Sequence, residues 1–163
     1  RAFVDACKTI QSAGEMSGEV LAEGERMQEF LARVPTEIDR GRVEFHVGDA
    51  MDLPDLGAFD VVLAANLICR LPDPRKFLAR LPSLVKPGGQ LLLATPFSWL
   101  EEFTPREHWL GGRRDSPSSF EVLSQILKPD FDLETTTNLP FLIREHSRKF
   151  QYGISFGSRW RRR

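Results

Sequence analysis

The chain has 163 residues, 41% hydrophobic and 28% charged, with a formal net charge of −1, the profile of a globular domain with room for a core. That balance gives no general attraction to nucleic acid or to an anionic membrane, and no apolar run approaches the ~20 residues of a membrane span. No signal peptide is visible, and Cys7 and Cys69 lie in different stretches without metal-ligand spacing, so they read as reduced thiols of a cytoplasmic protein.

Phe3, Cys7 and Ile10 fall at i, i+4 and i+7, an apolar helical stripe that Gly14 and Gly18 interrupt. Residues 17–34 fit two short strands about a turn or a broken helix, and their glycines favour strands. Val43 to Val47 is expected as a strand ending in the turn Gly48-Asp49-Ala50, and residues 52–57 as a loop. Phe59 to Ala65 is apolar enough for a central strand covered on both faces, and it runs into a polar elbow at Asn66.

Asp73-Pro74 signals a helix start, with Asp as N-cap and Pro at the first helical position, and Phe77, Leu78 and Leu81 give that helix its buried stripe. Pro87-Gly88-Gly89 turns the chain into a strand over Gln90 to Ala94. Phe97 to Pro117 reads as a loop, and loops of that length in compact domains are functional or disordered; its aromatics favour function. Ser118 with Glu121 forms a capping box that opens a helix to about Leu127. Phe131, Leu133, Thr135, Thr137 and Leu139 alternate with polar neighbours, as do Phe150, Tyr152, Ile154 and Phe156. The link between these two strands, Pro140 to Ser147, is too short for a crossover helix, so the pair is antiparallel.

Strands alternating with helices imply a parallel sheet whose ligands sit at the carboxyl ends of its strands. Here those ends carry Asp49, Asn66 and Pro96. VEFHVGDA, FDVVLAANLICRL and VKPGGQLLLATP together resemble the second half of a class I S-adenosylmethionine-dependent methyltransferase. The resemblance implies an α/β, Rossmann-like class I methyltransferase fold, its parallel strands closed by an antiparallel C-terminal strand pair. It also implies N-terminal truncation. The Gly-rich loop that cradles the methionine end of the cofactor, and the first two strands with the acidic residue for the ribose hydroxyls, would lie upstream of Arg1. Residues 1–163 are then a partial domain, and their cofactor affinity alone is expected to be weak.

The resemblance gives Asp49 the adenine amino group as a partner, with Gly48 allowing close backbone approach and Ala50 and Met51 walling the pocket. It puts Asn66 near the methionine part of the cofactor or near the acceptor. Each residue also has a plainer reading: Asp49 as a turn carboxylate, Asn66 as a cap of the Leu67 to Leu71 turn, Met51 as core. The loop FSWLEEFTPREHWLGG holds Trp99, Trp109, Glu101, Glu102, Arg106 and His108. Aromatics grip a planar substrate, and an Arg grips a carboxylate; by pattern alone, a loop merely pinned to the sheet by its aromatics fits slightly better. Arg144 belongs to a charged cluster at the antiparallel corner, which reads as a solvated turn or as a cover for the acceptor. The tail Arg159-Trp160-Arg161-Arg162-Arg163 reads as a frayed terminus rather than a nucleic-acid clamp, because no other basic stripe supports it. His46, His108 and His146 are too scattered for a metal site.

NLICRLPDPRKFL, SWLEEFTPREHWLGG and PFLIREHSRKFQYGIS carry a narrower resemblance. They are similar to the C-terminal methyltransferase domain of the ovothiol-biosynthesis enzyme, in which a sulfoxide synthase region is commonly fused in front. That resemblance implies S-adenosyl-L-methionine as cofactor and methylation of a ring nitrogen of mercaptohistidine. Glu101, Glu102 and His108 become candidate bases, Trp99 or Trp109 the stacking platform, and Arg106 or Arg144 the partner of the substrate carboxylate. Other readings stay open: a methyltransferase of another small molecule, a degenerate methyltransferase fold that only binds a partner, and, more remotely, an RNA methyltransferase.

Overall fold

The computed structural model describes residues 1–163. The chain forms two compact units: residues 1–48 with 142–151, and residues 49–141 with 152–163.

In the first unit, helix α1 (Ala2–Ala13) ends at Gly14, whose φ of 80° is left-handed and whose N–H closes on Ile10 O. Two further carbonyls of the last turn are met by Arg40, whose Nη1 donates to Gln11 O at 2.6 Å and Ser12 O at 3.0 Å. A cation there also suits the negative end of the helix dipole. The ambiguous stretch after α1 is a hairpin, β1 (Glu15–Glu23) antiparallel to β2 (Arg26–Arg33). Gly18 faces Phe30 across it. A Cβ on Gly18 would lie 2.7 Å from the Phe30 ring, so the ring covers the glycine.

The expected strand over Val43 to Val47 does not form; the segment is irregular, with Val43 and Val47 exposed. A strand exists through its neighbour's peptide groups, and none is paired to this segment. Alternating apolar residues alone could not reveal that.

The second unit is built on a four-stranded sheet in the order β3-β4-β6-β5. Strand β3 (Phe59–Ala65) pairs parallel with β4 (Val85–Thr95), the two joined through helix α2 (Pro74–Leu84). Asp73 caps α2, accepting from the N–H groups of Arg75 and Lys76. Strand β6 (Lys149–Arg162) runs antiparallel to β4, with Leu91 opposite Trp160 and Thr95 opposite Phe156. Strand β5 (Phe131–His146) is the outer member. The last two strands are longer than their alternation suggested, and Pro140 lies inside β5. An edge strand tolerates proline because one row of its N–H groups needs no partner. Helix α3 (Ser119–Leu127) carries the expected capping box, and Ser118 holds the Glu121 carboxyl below the usual carboxylate range, through its hydroxyl first and its backbone N–H second.

One face of the sheet makes the core. Ala64, Leu91, Leu93 and Trp160 pack with Phe77, Leu78 and Leu81 of α2 and with Leu123 and Leu127 of α3. The opposite face carries a shallow apolar groove of about 210 Å³ lined by Leu63, Leu92, Thr137, Leu139 and Gly157 among others. Strand β3 is therefore not covered on both faces as its sequence suggested: Val61 is 52% and Leu63 64% exposed. The basic tail is not frayed either. It is the end of β6, where Glu134 bridges Arg159 and Arg161, Asp130 pairs with Arg162, and Asp132 with Arg163. Asp132 and Glu134 stand two places apart on β5, and the alternation of a paired strand brings them to Arg159, Arg161 and Arg163, while Asp130 before the strand meets Arg162.

Candidate functional site

Parallel strands β3 and β4 deliver two chain segments to the same end of the sheet, the place where open α/β sheets bind ligands. The first segment, Asn66 to Asp73, contains a short 3-10 turn, Ile68–Arg70. The second runs from Pro96 to Gly112, with a 3-10 turn at Arg106–His108. Four contacts tie them together. Thr104, fully buried, donates its hydroxyl to Leu71 O at 2.7 Å. Arg70 Nη1 donates to Ser98 O at 2.9 Å, and its guanidinium lies 4.7 Å from the centre of the Phe103 ring. His108 Nδ1 lies 2.8 Å from Pro72 O.

A carbonyl can only accept, so His108 Nδ1 carries the proton, and in the neutral ring the lone pair is on Nε2. Among the candidate bases, His108 is thus held in one tautomer. Glu101 and Glu102 are exposed and form neither hydrogen bonds nor ion pairs with other side chains.

The two tryptophans of the loop meet. Trp99 and Trp109 stack with ring centres 6.4 Å apart and planes 19° apart. Both indole N–H groups are used internally, Trp99 on Ser119 Oγ at 2.8 Å and Trp109 on Thr104 O at 2.9 Å. Both are half-buried, and the Arg106 guanidinium sits 5.9 Å from the Trp109 ring centre without an acidic partner. Pinning by aromatics and an available aromatic and cationic surface are therefore both realised in one loop.

Asp49 is exposed, and its Oδ1 accepts from Met51 N at 2.9 Å, an Asx turn that leaves Oδ2 without a protein partner. Ala50 and Met51 are half-buried against the main core cluster, as are Leu67, Phe97 and Trp99. Gly48 lies in the first unit; a Cβ there would meet nothing within 4 Å, so no part of the protein itself demands glycine. Arg144 is exposed and also belongs to the first unit. Asn66 ends β3 with a left-handed φ of 53°, and its Oδ1 accepts from the Ser155 hydroxyl at 2.7 Å. Ser155, Arg70 and Thr104 were missed in the sequence. Ser155 had a signal, since Gly153, Ser155 and Gly157 put small residues on one face of β6; Arg70 and Thr104 had none. No group of three or more His, Cys, Asp or Glu side chains is placed to hold a metal ion.

This arrangement, a mixed sheet with its parallel pair joined by a helix and closed by antiparallel strands, is the Rossmann-like fold of class I methyltransferases. A solved structure from work on the conversion of a disulfide bond into a thioacetal group during echinomycin biosynthesis shares it, with a TM-score of 0.50 at 17% identity over 72% of this chain and 55% of that one. A methyltransferase-domain family model matches residues 12–93. The chain belongs to that family, the class I S-adenosylmethionine-dependent methyltransferases.

Magnesium-protoporphyrin O-methyltransferase of Rhodobacter capsulatus is 38% identical over 86 residues, which are 47% of this chain and 37% of that protein. Ubiquinone biosynthesis O-methyltransferase of Sodalis glossinidius (strain morsitans) is 31% identical over 77 residues, 45% of this chain and 30% of that protein. The matched stretches thus span about a third of each relative's length. No helix is long and apolar enough to cross a membrane.

Proposed function

We propose that the protein transfers a methyl group from S-adenosylmethionine to a ring nitrogen of mercaptohistidine, forming ovothiol, as a cytoplasmic enzyme working with a fused or separate sulfoxide synthase domain. The observation that carries this reading is the clasped loop from Phe97 to Gly112. In it the Trp99–Trp109 stack and the unpaired Arg106 adjoin, an aromatic surface beside a cation that suits a small planar zwitterion.

The residues present fit the cofactor's chemistry. The free Oδ2 of Asp49 can accept from the adenine amino group, and the half-buried Ala50 and Met51 offer apolar contact to the base. When bound, the cofactor supplies a sulfonium methyl carbon open to in-line attack by a nitrogen lone pair. The protein's share is to align that nitrogen and exclude water, which can contribute several kcal/mol. Trp99 and Trp109 would hold the imidazole ring, and Arg106 its carboxylate. The ring proton would pass to His108 Nε2, Glu101 or Glu102, whichever reaches hydrogen-bond distance of the acceptor.

A second reading, methylation of another small molecule, is supported by the names of two of the relatives, a magnesium-protoporphyrin O-methyltransferase and a ubiquinone biosynthesis O-methyltransferase. The deciding assay incubates the full protein with labelled cofactor and mercaptohistidine. Labelled ovothiol is the expected product; no transfer to mercaptohistidine, with transfer to another acceptor, favours the second reading.

A further inference from the structure

Only two non-glycine residues have left-handed backbone, Asn66 (φ 53°) and Phe97 (φ 50°), and they follow the two parallel strands. An L-residue there is disfavoured, asparagine less than others, and persists where its surroundings hold it. Phe97 is held by Thr95, whose Oγ1 accepts its N–H at 3.2 Å, and by the Phe156 ring, 6.0 Å away centre to centre. Asn66 is held at both ends. Its backbone N–H donates to Ala94 O of β4 at 2.7 Å, and its side-chain Oδ1 takes the Ser155 hydroxyl of β6 at 2.7 Å. Ser155 is 2% exposed and makes no other side-chain hydrogen bond.

A carboxamide has one acceptor oxygen and two N–H donors. With the oxygen fixed on Ser155, the Nδ2 donors of Asn66 turn away from β6. They meet no protein acceptor, on a residue that is itself exposed at the carboxyl end of β3. Folding alone does not need a donor pair in that position. Such a pair suits a carboxylate. It repels an ammonium group, and donation to a ring nitrogen would occupy the lone pair needed for attack.

We propose that Ser155 is a positioning residue, which orients the Asn66 carboxamide so that its two N–H donors bind a carboxylate at the ends of β3 and β4. This rests on the proposed transfer to mercaptohistidine, in which two ligands carry a carboxylate: the methionyl end of the cofactor and the amino-acid acceptor.

The test uses the full protein and three variants. Asn66→Asp keeps an oxygen for Ser155 and tolerates left-handed backbone but has no donors; Ser155→Ala removes the orienting hydroxyl; Ser155→Thr restores it. In the ligand-free protein, the Nδ2 proton resonances of Asn66 should be well separated in the wild type and in Ser155→Thr, and should collapse toward solvent-exposed values in Ser155→Ala. Calorimetric Kd for S-adenosylhomocysteine and KM for mercaptohistidine are then compared. Asn66→Asp should weaken one of them about tenfold or more, as expected for a hydrogen bond to a charged group, and Ser155→Ala, which frees the carboxamide to turn without removing its donors, by about fivefold. Ser155→Thr should recover most of the loss. A change confined to Kd assigns the carboxylate to the cofactor; a change confined to KM assigns it to the acceptor. Unmoved resonances in Ser155→Ala, or folded variants with both constants unchanged while the wild type binds S-adenosylhomocysteine, overturn the positioning role alone. A wild type that neither binds S-adenosylhomocysteine nor transfers methyl overturns the methyltransferase reading, and the resonances still decide whether Ser155 orients Asn66.

Discussion

Thr104 shows what one hydroxyl does here. Its side chain is fully buried, and the Leu71 carbonyl it satisfies belongs to the other strand-end segment. Thr104→Val keeps the shape and leaves that carbonyl without its partner, a loss of about 1–3 kcal/mol, measurable by urea unfolding. Methyl transfer should fall by more than the lost stability explains, because the same bond joins the loop of Trp99 and Arg106 to the turn after Asn66. Asp49 makes the contrasting case. Its carboxylate serves an exposed Asx turn, so Asp49→Ala should leave the melting temperature nearly unchanged. If Asp49 binds adenine, calorimetric titration of the full protein with S-adenosylhomocysteine should show affinity weakened by about 1–3 kcal/mol. Unchanged affinity would reduce Asp49 to a turn residue.

At the scale of elements, legibility followed the locality of the signal. Caps were plain in the sequence: Asp73 before Pro74 and the Ser118–Glu121 box both stand where expected, because capping is decided within four residues. The hairpin over β1 and β2 was only half legible, since its glycines favoured strands without excluding a broken helix. Val43 to Val47 was not, since its pattern is that of a strand but its ladder depends on a distant partner. Of the site, residue types and their loop could be read, while the clasp could not: Arg70 on Ser98 O and His108 on Pro72 O join residues 28 and 36 positions apart. The C-terminal arginines failed for the same reason, their acids lying about thirty residues back.

That paired end has a consequence for acid stability. Hydrogen bonds from Arg161 to Glu134 and from Arg163 to Asp132 hold both carboxyls below the usual carboxylate range, with the neighbouring positive charges adding to the effect. Folded-state values below the unfolded ones mean a stabilisation present in full above the unfolded values. It is lost as the pH falls through the folded ones. Between neutral pH and about pH 3, the melting temperature of Glu134→Gln should therefore fall less steeply than that of the wild type, and added salt should narrow the difference. Parallel curves at all pH values would mean that Glu134 gains nothing from Arg159 and Arg161 in the folded state.

At the scale of the molecule, the sheet of the second unit ends at β3, with no strand on its outer side. Phe59, Val61 and Leu63 alternate along it and are 46%, 52% and 64% exposed. The groove lined by Leu63, Leu92 and Leu139 continues the apolar surface across the same face. Unpaired N–H and C=O groups beside exposed apolar side chains recruit further strands, and natural edges are usually guarded by a charge or a proline. Within β3 the sole charge is Asp60, which is engaged by Lys86 at 3.0 Å. The 163-residue chain is therefore expected to self-associate, eluting from a sizing column ahead of a monomer, increasingly so with concentration. Val61→Lys puts a charge on the exposed face of that edge and should return the elution to the monomer position with the circular dichroism unchanged. Concentration-independent monomer elution of the unsubstituted chain would show that this edge recruits nothing, and association unaltered by Val61→Lys would place the sticky surface elsewhere.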